Sequence, residues 1–180
     1  MTQPTRSARI AIVTVSDRAS RGDYEDKGGP AAEEWLRGVV TSPMEITRKI
    51  VPDGREGVAA TLRQLADGDG ADLILITGGT GPAPRDETPE AMADVIEKEL
   101  PGFGEEMRRA SLAEVPTAIL SRQSAGVRDS CLMITLPGKP AAIATCLNAV
   151  FAAVPYCLDL IGAARVETDP ALIKAFRPKA

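Results

Sequence analysis

The sequence predicts an α/β protein of three layers, in which a mostly parallel sheet carries helices on both faces. Short apolar runs rich in β-branched residues are typical of strands that are buried on both faces. Helical patterns alternate with these runs along much of the chain. The length of 180 residues suits one domain. We expect that domain to span 1–180, with a core at about 9–165 and a polar tail at 166–180 that is only partly ordered.

The first half of the chain alternates regularly between the two patterns. Apolar runs at 9–16, 44–51 and 71–77 predict three strands. The segment 30–36 predicts a helix with Pro30 in its first turn, where the missing amide hydrogen is tolerated. Between the second and third strands, Val58, Leu62 and Leu65 recur at helical spacing.

The second half begins with a strong signal for a helix start. Thr88 is placed as an N-cap, with proline at the first helical position and Glu90 near the positive helix end. We expect this helix to run to about residue 100 and a further helix to cover 103–113. Strands are predicted at 117–123 and 131–136, with loop sequence between them. The apolar stretch 141–160 predicts a long helix that Pro155 breaks or kinks.

Composition excludes several classes of function. The formal net charge of -4 argues against a nucleic-acid binder. We expect no membrane span, because no apolar run was found that reaches roughly 20 residues, and no secretory leader, because the first residues lead directly into a strand. Three cysteines without zinc spacing predict free thiols and a cytoplasmic protein. The absence of histidine excludes a Ser-His-Asp triad, a Cys-His dyad and histidine-ligated zinc.

Chemistry is expected where the parallel strands end. Ligands of open α/β sheets bind at the carboxyl ends of the strands, and four such ends carry polar or glycine-rich sequence. The residues concerned are Ser16, Asp17 and Arg18 after the first strand, Asp53 after the second, Thr77 to Gly81 with Arg85 and Asp86 after the third, and Pro137 with Gly138 after the last. Together they predict one site with three carboxylates, hydroxyls, arginines and backbone amides that can face phosphate oxygens.

Each of these signals also has a plainer interpretation. The Gly78-Gly79-Thr80-Gly81 turn is neither a P-loop nor a GxGxxG motif, and it could be only a tight turn. Asp53 could be a turn residue and Asp86 a loop carboxylate, although two aspartates beside a phosphate cradle suit magnesium. Further along the chain, a surface position for Ser111 and an ordinary strand end for Ser121 and Arg122 stay open, and Tyr24 and Trp35 are expected to be packing residues.

Taken in order, the motifs resemble those of the MogA/MoaB family, most closely the MogA type of molybdopterin adenylyltransferase, which is related to the gephyrin G domain. The resemblance extends from Arg9 to about Pro178. Its segments are SDRAS at 16–20, DKG at 26–28, EEWL at 33–36, PD at 52–53, TGGTGP at 77–82, RD at 85–86, TPEA at 88–91, PGFGE at 101–105, PTAILSR at 116–122, LPGKP at 136–140 and VPYC at 154–157.

The resemblance implies a fold, a reaction and roles for particular residues. It implies a homotrimer that transfers AMP from ATP, with Mg²⁺, to molybdopterin, and a separate protein that inserts molybdate. Asp53 and Asp86 match the aspartates that the family needs for catalysis. Ser111, Ser121 and Arg122 match positions that hold the pterin, whereas Gly78 to Gly81 and Pro137-Gly138 match loops that shape the pocket. The alternatives are a non-catalytic pterin-binding or scaffold protein of the MoaB type and an enzyme of the MoaB or competence-damage branch with another nucleotide substrate.

Overall fold

The computed structural model describes residues 6–179. The residues 1–5, on which the expectation of no leader partly rests, and Ala180 lie outside the described part. A single sheet has the strand order β2-β1-β3-β6-β5-β4. Its strands are Ala8–Val15 (β1), Met44–Val51 (β2), Leu73–Thr77 (β3), Lys98–Glu99 (β4), Ala125–Arg128 (β5) and Cys131–Leu136 (β6). β2, β1, β3 and β6 run parallel, whereas β5 is antiparallel to β6 and to β4, which confirms the mostly parallel sheet.

Helices connect most of these strands. The α-helices are Asp17–Ser20 (α1), Gly28–Val39 (α2), Arg55–Arg63 (α3), Thr88–Ala93 (α4), Pro101–Leu112 (α5), Pro140–Val150 (α6) and Val154–Leu160 (α7). A π-helical turn at Gln64–Gly68 extends α3, and 3-10 turns cover Pro116–Leu120 and Phe151–Ala153. At the start of α2, the carboxylate of Asp26 accepts the amide hydrogens of Gly28 and Gly29, at 3.1 Å each.

Side-chain alternation along the central strands produces the three layers. In β1, Ile10 and Ile12 belong to one buried cluster, whereas Ala11, Val13 and Val15 belong to the other. The first cluster packs against α2, α5, α6 and α7, and the second against α3 and α4. Because both faces are covered, the strands appear in the sequence as nearly continuous apolar runs.

Two of the predicted elements are wrong. The segment 117–123, predicted as a strand, forms instead the 3-10 turn Pro116–Leu120, in which Ile119 and Leu120 are exposed. The helix predicted over 88–100 ends at Ala93, and the chain then forms β4. Strand β5, which pairs with β4 and β6, was expected to be loop. Proline at the start of the 3-10 turn lacks an amide hydrogen, so it suits a tight helical turn better than a strand.

Thr88 also differs from its predicted role. The residue before helix α4 is Glu87, and Thr88 is the first helical residue. Its hydroxyl donates to the carbonyl of Gly78 at 2.8 Å, and its backbone amide donates to the carbonyl of Gly79 at 3.1 Å. Thr88 therefore fastens the glycine-rich turn to helix α4 instead of capping the helix.

The apolar stretch Pro140–Leu160 exceeds the length of roughly 20 residues that no apolar run was expected to reach. With 21 residues, and with a mean hydropathy of 1.8 over a window of 18 of them, it meets the length and composition of a membrane-crossing helix. The stretch is divided into α6, a 3-10 turn and α7, and the break precedes Pro155, which lies in the first turn of α7. Its side chains at Ile143, Leu147 and Phe151 are fully buried against the sheet. This pattern is that of a core helix.

The polar tail packs against the rest of the chain. Val166 and Ile173 are buried in the same cluster as α6. Val40 and Thr168 form an isolated antiparallel bridge. The guanidinium of Arg177 donates to Asp159 and to the carbonyl of Val166. Contacts between the tail and the core thus extend as far as Arg177.

At the amino end of the sheet, one buried carboxylate joins several segments. Asp72 is 2% exposed and accepts the amide hydrogens of Arg9 at 2.9 Å and Ala164 at 2.8 Å. It also accepts two bonds from the Arg6 guanidinium, at 2.8 and 2.5 Å. Because it lies at the opposite edge from the carboxyl ends of the strands, its role is structural.

We expect Asp72→Ala to lower the free energy of unfolding by about 3 kcal/mol, because each buried amide left without an acceptor costs roughly 1–3 kcal/mol. Urea denaturation followed by circular dichroism measures this change. Asp23→Ala is the control, because Asp23 and its partner Arg21 are both exposed and such pairs contribute about 0–1 kcal/mol. Equal stability of the two variants would contradict the role given to Asp72.

Candidate active site

The carboxyl ends of four parallel strands meet at one edge of the sheet, as the sequence predicted. Val15 at the end of β1 is paired with Val51 of β2, and Thr14 is paired with Thr77 of β3. Thr77 is in turn paired with Leu136 of β6. The loops that follow these four strands therefore surround a common region. Three connected hollows occupy it: an aspartate cleft, a cationic cavity and an apolar cavity.

The aspartate cleft has a volume of about 100 Å³ and lies between the loops after β1, β2 and β3. Asp53 and Asp86 both line it, together with five other residues that the sequence analysis placed at the strand ends: Ser16, Asp17, Arg18, Gly79 and Arg85. Val15 completes the lining. The two aspartates thus face the same hollow, although 33 positions of sequence separate them.

Reciprocal hydrogen bonds hold the first two aspartates side by side. The amide of Asp17 donates to Asp53 Oδ2, and the amide of Asp53 donates to Asp17 Oδ1, both at 3.0 Å. Asp86 Oδ2 accepts the amide hydrogen of Ala83 at 3.1 Å. Asp17 and Asp53 thus each fix the loop of the other, whereas Asp86 fixes its own loop. Within residues 6–179, the second oxygen of each carboxylate accepts no hydrogen bond.

Gly81 permits the close approach of Asp86 to the loop backbone. A Cβ at position 81 would lie 2.7 Å from Asp86 Oδ2, which is well inside van der Waals contact. A larger residue at this position would therefore force the Asp86 carboxylate or the loop backbone to shift.

The donor set suits a magnesium ion that is shared with a substrate. Among residues 6–179, no three His, Cys, Asp or Glu side chains are grouped closely enough to hold a metal by themselves. Mg²⁺ usually retains water and binds through one or two carboxylates together with substrate phosphates. The aspartates of the cleft can supply such carboxylates. They are not grouped closely enough to form a metal centre from protein ligands alone.

The cationic cavity adjoins the cleft and has a volume of about 350 Å³. It shares Val15, Ser16 and Arg18 with the cleft, and it also contains Thr77 and Gly78, which the sequence placed in the site. The side chains of Arg18, Lys27 and Lys139 line it, and Arg18 stacks on the ring of Tyr24 at 5.0 Å.

These three cations and Arg85 have no carboxylate partner. Within the described part of the chain, none of the four takes part in an ion pair, whereas most other arginines do. Four cations without an ion-pair partner thus line the cleft or the cationic cavity of a protein whose net charge is negative. Asp26 also lines the cationic cavity, where its carboxylate accepts the Thr14 hydroxyl and the amides of Gly28 and Gly29, so three cations face one carboxylate there. A concave site with an excess of one sign of charge attracts ligands of the opposite sign.

The apolar cavity has a volume of about 360 Å³ and shares no lining residue with the aspartate cleft. The cationic cavity adjoins it at Gly138 and Lys139. The members of the predicted site that line the apolar cavity are Thr80, Gly81, Ser111, Ser121, Pro137 and Gly138. A cavity of this size with a few hydroxyls fits the general form of a site for a small organic ligand.

A buried polar cluster supports one wall of the apolar cavity. Gln123 is 2% exposed, accepts the Ser121 hydroxyl at 2.5 Å and donates to Cys146 Sγ at 3.2 Å. Ser111 Oγ lies 3.6 Å from the same sulfur. Burial raises the pKa of the Cys146 thiol, so the sulfur stays protonated and serves as packing.

Arg122 lines none of the three hollows. Its guanidinium donates to the carbonyl of Gly81 at 3.0 Å and to that of Asp86 at 2.5 Å, and it forms an ion pair with Glu90. The hydrogen bonds from Arg122 hold the pKa of Glu90 below its usual range. The structure therefore places Arg122 behind the loop that carries Asp86, outside the lining of all three hollows.

Sequence reasoning did not include Lys27, Lys139, Arg108 or Gln123 in the site. Both lysines belong to segments that carried the family resemblance. Lys139 directly follows the Pro137-Gly138 turn at a strand end, so its position could have predicted a place in the site. Arg108 projects from α5, and its contact with the carbonyl of Gln123 at 2.7 Å follows only from the tertiary structure.

Comparison with known proteins is consistent with this geometry. Residues 11–156 match the family described as a probable molybdopterin binding domain. The molybdopterin adenylyltransferase of Escherichia coli K12 is 48% identical over 183 residues, which cover 95% of this chain and 94% of the relative. That of Helicobacter pylori 26695 is 51% identical over 174 residues, which cover 97% and 99%.

Solved structures of similar proteins share the fold. The molybdopterin biosynthesis enzyme MoaB of Thermus thermophilus superposes with a TM-score of 0.78 at 42% identity, covering 86% of this chain and 96% of that one. A MogA structure superposes with a TM-score of 0.79 at 35% identity, covering 85% and 99%. The family match, the relatives and the shared fold lead to one conclusion: this chain belongs to the MogA/MoaB family of molybdenum cofactor biosynthesis proteins.

Proposed function

We propose that this chain is a molybdopterin adenylyltransferase, which transfers AMP from ATP to the terminal phosphate of molybdopterin and releases pyrophosphate. One observation carries the proposal: a cleft with three carboxylates lies beside a cavity of unpaired cations and near a separate apolar cavity. Such an arrangement suits a reaction between a polyphosphate and a largely planar organic phosphate. Relatives at 48% and 51% identity bear the name of this activity.

The three hollows suggest an assignment of substrates. The triphosphate of ATP is placed along Arg18, Lys27 and Lys139 in the cationic cavity. The pterin is placed in the apolar cavity beside Ser111 and Ser121, so its terminal phosphate extends toward the cleft. The reacting groups then meet at Asp53 and Asp86.

The reaction requires no strong base. An oxygen of the pterin's phosphate attacks the α-phosphorus of ATP, the new P–O bond forms, and the bond to the β-phosphate oxygen breaks to release pyrophosphate. A phosphate monoester has a second pKa near 6, so it is mostly a dianion at neutral pH. The lack of histidine is therefore compatible with the reaction.

Repulsion between two polyanions is the main barrier, and positioning with charge neutralisation lowers it. We assign to Asp53 and Asp86 the holding of Mg²⁺, which when bound neutralises phosphate charge. Arg18 and Arg85 screen the remaining charge at the mouth of the cleft. Because three of the four residues in the glycine-rich turn have no side chain, the turn leaves the path between the two substrates open.

Incubation of the purified chain with ATP, Mg²⁺ and molybdopterin, followed by mass spectrometry, tests the proposal. We expect an adenylylated pterin and one pyrophosphate per product. A protein that binds the pterin without forming the adduct belongs to the non-catalytic MoaB type. Consumption of nucleotide without pterin would indicate the competence-damage branch. Either of the last two results contradicts the proposed activity.

We further propose a cytoplasmic homotrimer that passes its product to a separate molybdate-inserting protein. Two buried thiols and one partly buried thiol are compatible with a reducing compartment. Leu112 and Ile119 are exposed beside the apolar cavity without lining it, and exposed apolar side chains commonly mark protein interfaces. Light scattering of the purified chain measures the oligomeric state, with about three times 18.9 kDa expected.

A further inference from the structure

Arg122 contacts both ends of the turn that carries Asp86. Its backbone amide donates to the carbonyl of Thr80 at 2.8 Å. Its side chain donates through Nε to the carbonyl of Gly81 at 3.0 Å and through Nη2 to the carbonyl of Asp86 at 2.5 Å. A single residue thus sets the separation between the first and last residues of this turn.

Glu90 holds the guanidinium from the other side. Its two carboxylate oxygens accept from Nη1 and from Nη2, the latter at 3.2 Å. A guanidinium has five N–H donors in a planar fork, and these contacts use four of them. Glu90 lies in the first turn of α4, so the pair links the turn to a regular element.

Few other bonds hold the turn. Those within it are local, from the amide of Asp86 to the carbonyl of Ala83 at 2.9 Å and from the amide of Ala83 to Asp86 Oδ2 at 3.1 Å. At its last residue, Glu87 Oε2 accepts the amide hydrogen of Arg55 at 3.2 Å. Residues 81–87 belong to no helix or strand. Bonds within the turn do not fix where the turn lies relative to the sheet. The contacts of Arg122 do fix it, because Arg122 belongs to a segment 36 residues beyond Asp86.

We propose that Arg122 and Glu90 are positioning residues, which hold the Asp86 turn against the cleft and do not contact either substrate. This inference rests on the proposed function, because it takes Asp86 as a reacting-site carboxylate. It also revises the expectation, drawn from resemblance, that Arg122 holds the pterin.

The test compares Arg122→Lys and Glu90→Gln with the parent protein in steady-state AMP transfer. Lysine keeps the charge but lacks the planar fork, so it cannot reach both carbonyls and Glu90 together. We expect kcat to fall about 10- to 100-fold in Arg122→Lys and about tenfold in Glu90→Gln, while KM for ATP and for molybdopterin stays within about threefold, because misplacement of a reacting group by about 1 Å can cost 10²-fold. The double variant should be no slower than Arg122→Lys, since both changes break one unit.

Hydrogen exchange of the unliganded protein provides a readout that does not depend on turnover. Amides within 81–87 should exchange faster in both variants, while those of β3 stay unchanged. Arg109→Lys is the matched control, because the Arg109 side chain is exposed and its hydrogen bonds go to Glu106 on the surface of α5. It should alter neither kinetics nor exchange.

The outcomes are distinct. A raised KM with unchanged kcat would make Arg122 a substrate ligand and overturn the inference. Unchanged exchange of 81–87 in both variants would also overturn it, whatever the kinetics. If the parent protein forms no adenylylated product, the proposed function fails, and the exchange data alone still decide whether the pair holds the turn.

Discussion

Replacement of either Asp53 or Asp86 by asparagine is expected to reduce AMP transfer by about a thousandfold while pterin binding stays largely intact. Loss of one preorganised group that stabilises transition-state charge typically costs 10²–10³ in rate, and a thousandfold corresponds to about 4 kcal/mol of the barrier. Asparagine has nearly the shape of aspartate. Its oxygen can still accept the amide of Asp17 at position 53, or that of Ala83 at position 86. The loops should therefore keep their positions, and the lost property is the negative charge.

Two measurements separate chemistry from binding in these variants. Initial rates of adenylylated pterin formation give the catalytic effect, and calorimetric titration with molybdopterin gives the affinity. Asp23→Asn is the control, because Asp23 belongs to the loop after β1 yet lines neither the cleft nor the cationic cavity. Near wild-type transfer by both active-site variants would refute the assignment. A loss of pterin affinity equal to the loss of rate would move the two aspartates from catalysis to substrate binding.

The central sheet could be predicted because its physical pattern is simple. β1, β3 and β6 are covered on both faces, so nearly every residue in them is apolar. The convergence of the site follows from the same prediction, since the carboxyl ends of parallel strands share one edge. For this reason Asp53 and Asp86 could be placed together without any knowledge of their contacts.

The antiparallel edge of the sheet could not be predicted in this way. β4 has two charged residues, and β5 begins Ala125-Gly126, which has low strand propensity. Gly126 is required there because a Cβ would press on the side chain of Ile96, and this contact exists only in the folded chain. The 3-10 turn was predicted to be a strand for the opposite reason. Thr117 and Ile119 have high strand propensity, but in the folded chain both side chains are exposed and neither residue pairs with a strand.

The same limit applies to the site. Spacing cannot show that Asp17 and Asp53 exchange amide hydrogen bonds, because the partners lie 36 residues apart. Nor could it show that Arg122 faces the back of a loop, since an arginine at a strand end also suits an anionic ligand. Residue type predicted the chemistry available at the edge of the sheet, and tertiary contacts determined which side chains are free to use it.

Gly78→Ala is expected to impair folding and catalysis together. Gly78 has φ of 98°, a backbone conformation that side chains with a Cβ rarely adopt. A Cβ built at this position would also overlap the backbone carbonyl oxygen of Val15 at the end of β1. Left-handed strain costs roughly 1–2 kcal/mol and overpacking roughly 1–3 kcal/mol, so we expect a loss of about 4 kcal/mol in the free energy of unfolding.

The catalytic effect follows from where the clash lies. To relieve it, the glycine-rich turn must move away from β1, which widens the space between Gly79 and Asp53 in the cleft. A displacement of about 1 Å would reduce AMP transfer of the folded fraction by about 10²-fold. Gly22→Ala separates strain from clash, because Gly22 has φ of 79° but no atom within 4 Å of an added Cβ. We expect that control to lose about 1 kcal/mol and no activity. If Gly78→Ala matches it in both urea denaturation and AMP transfer, the close packing of the turn against β1 has no functional role.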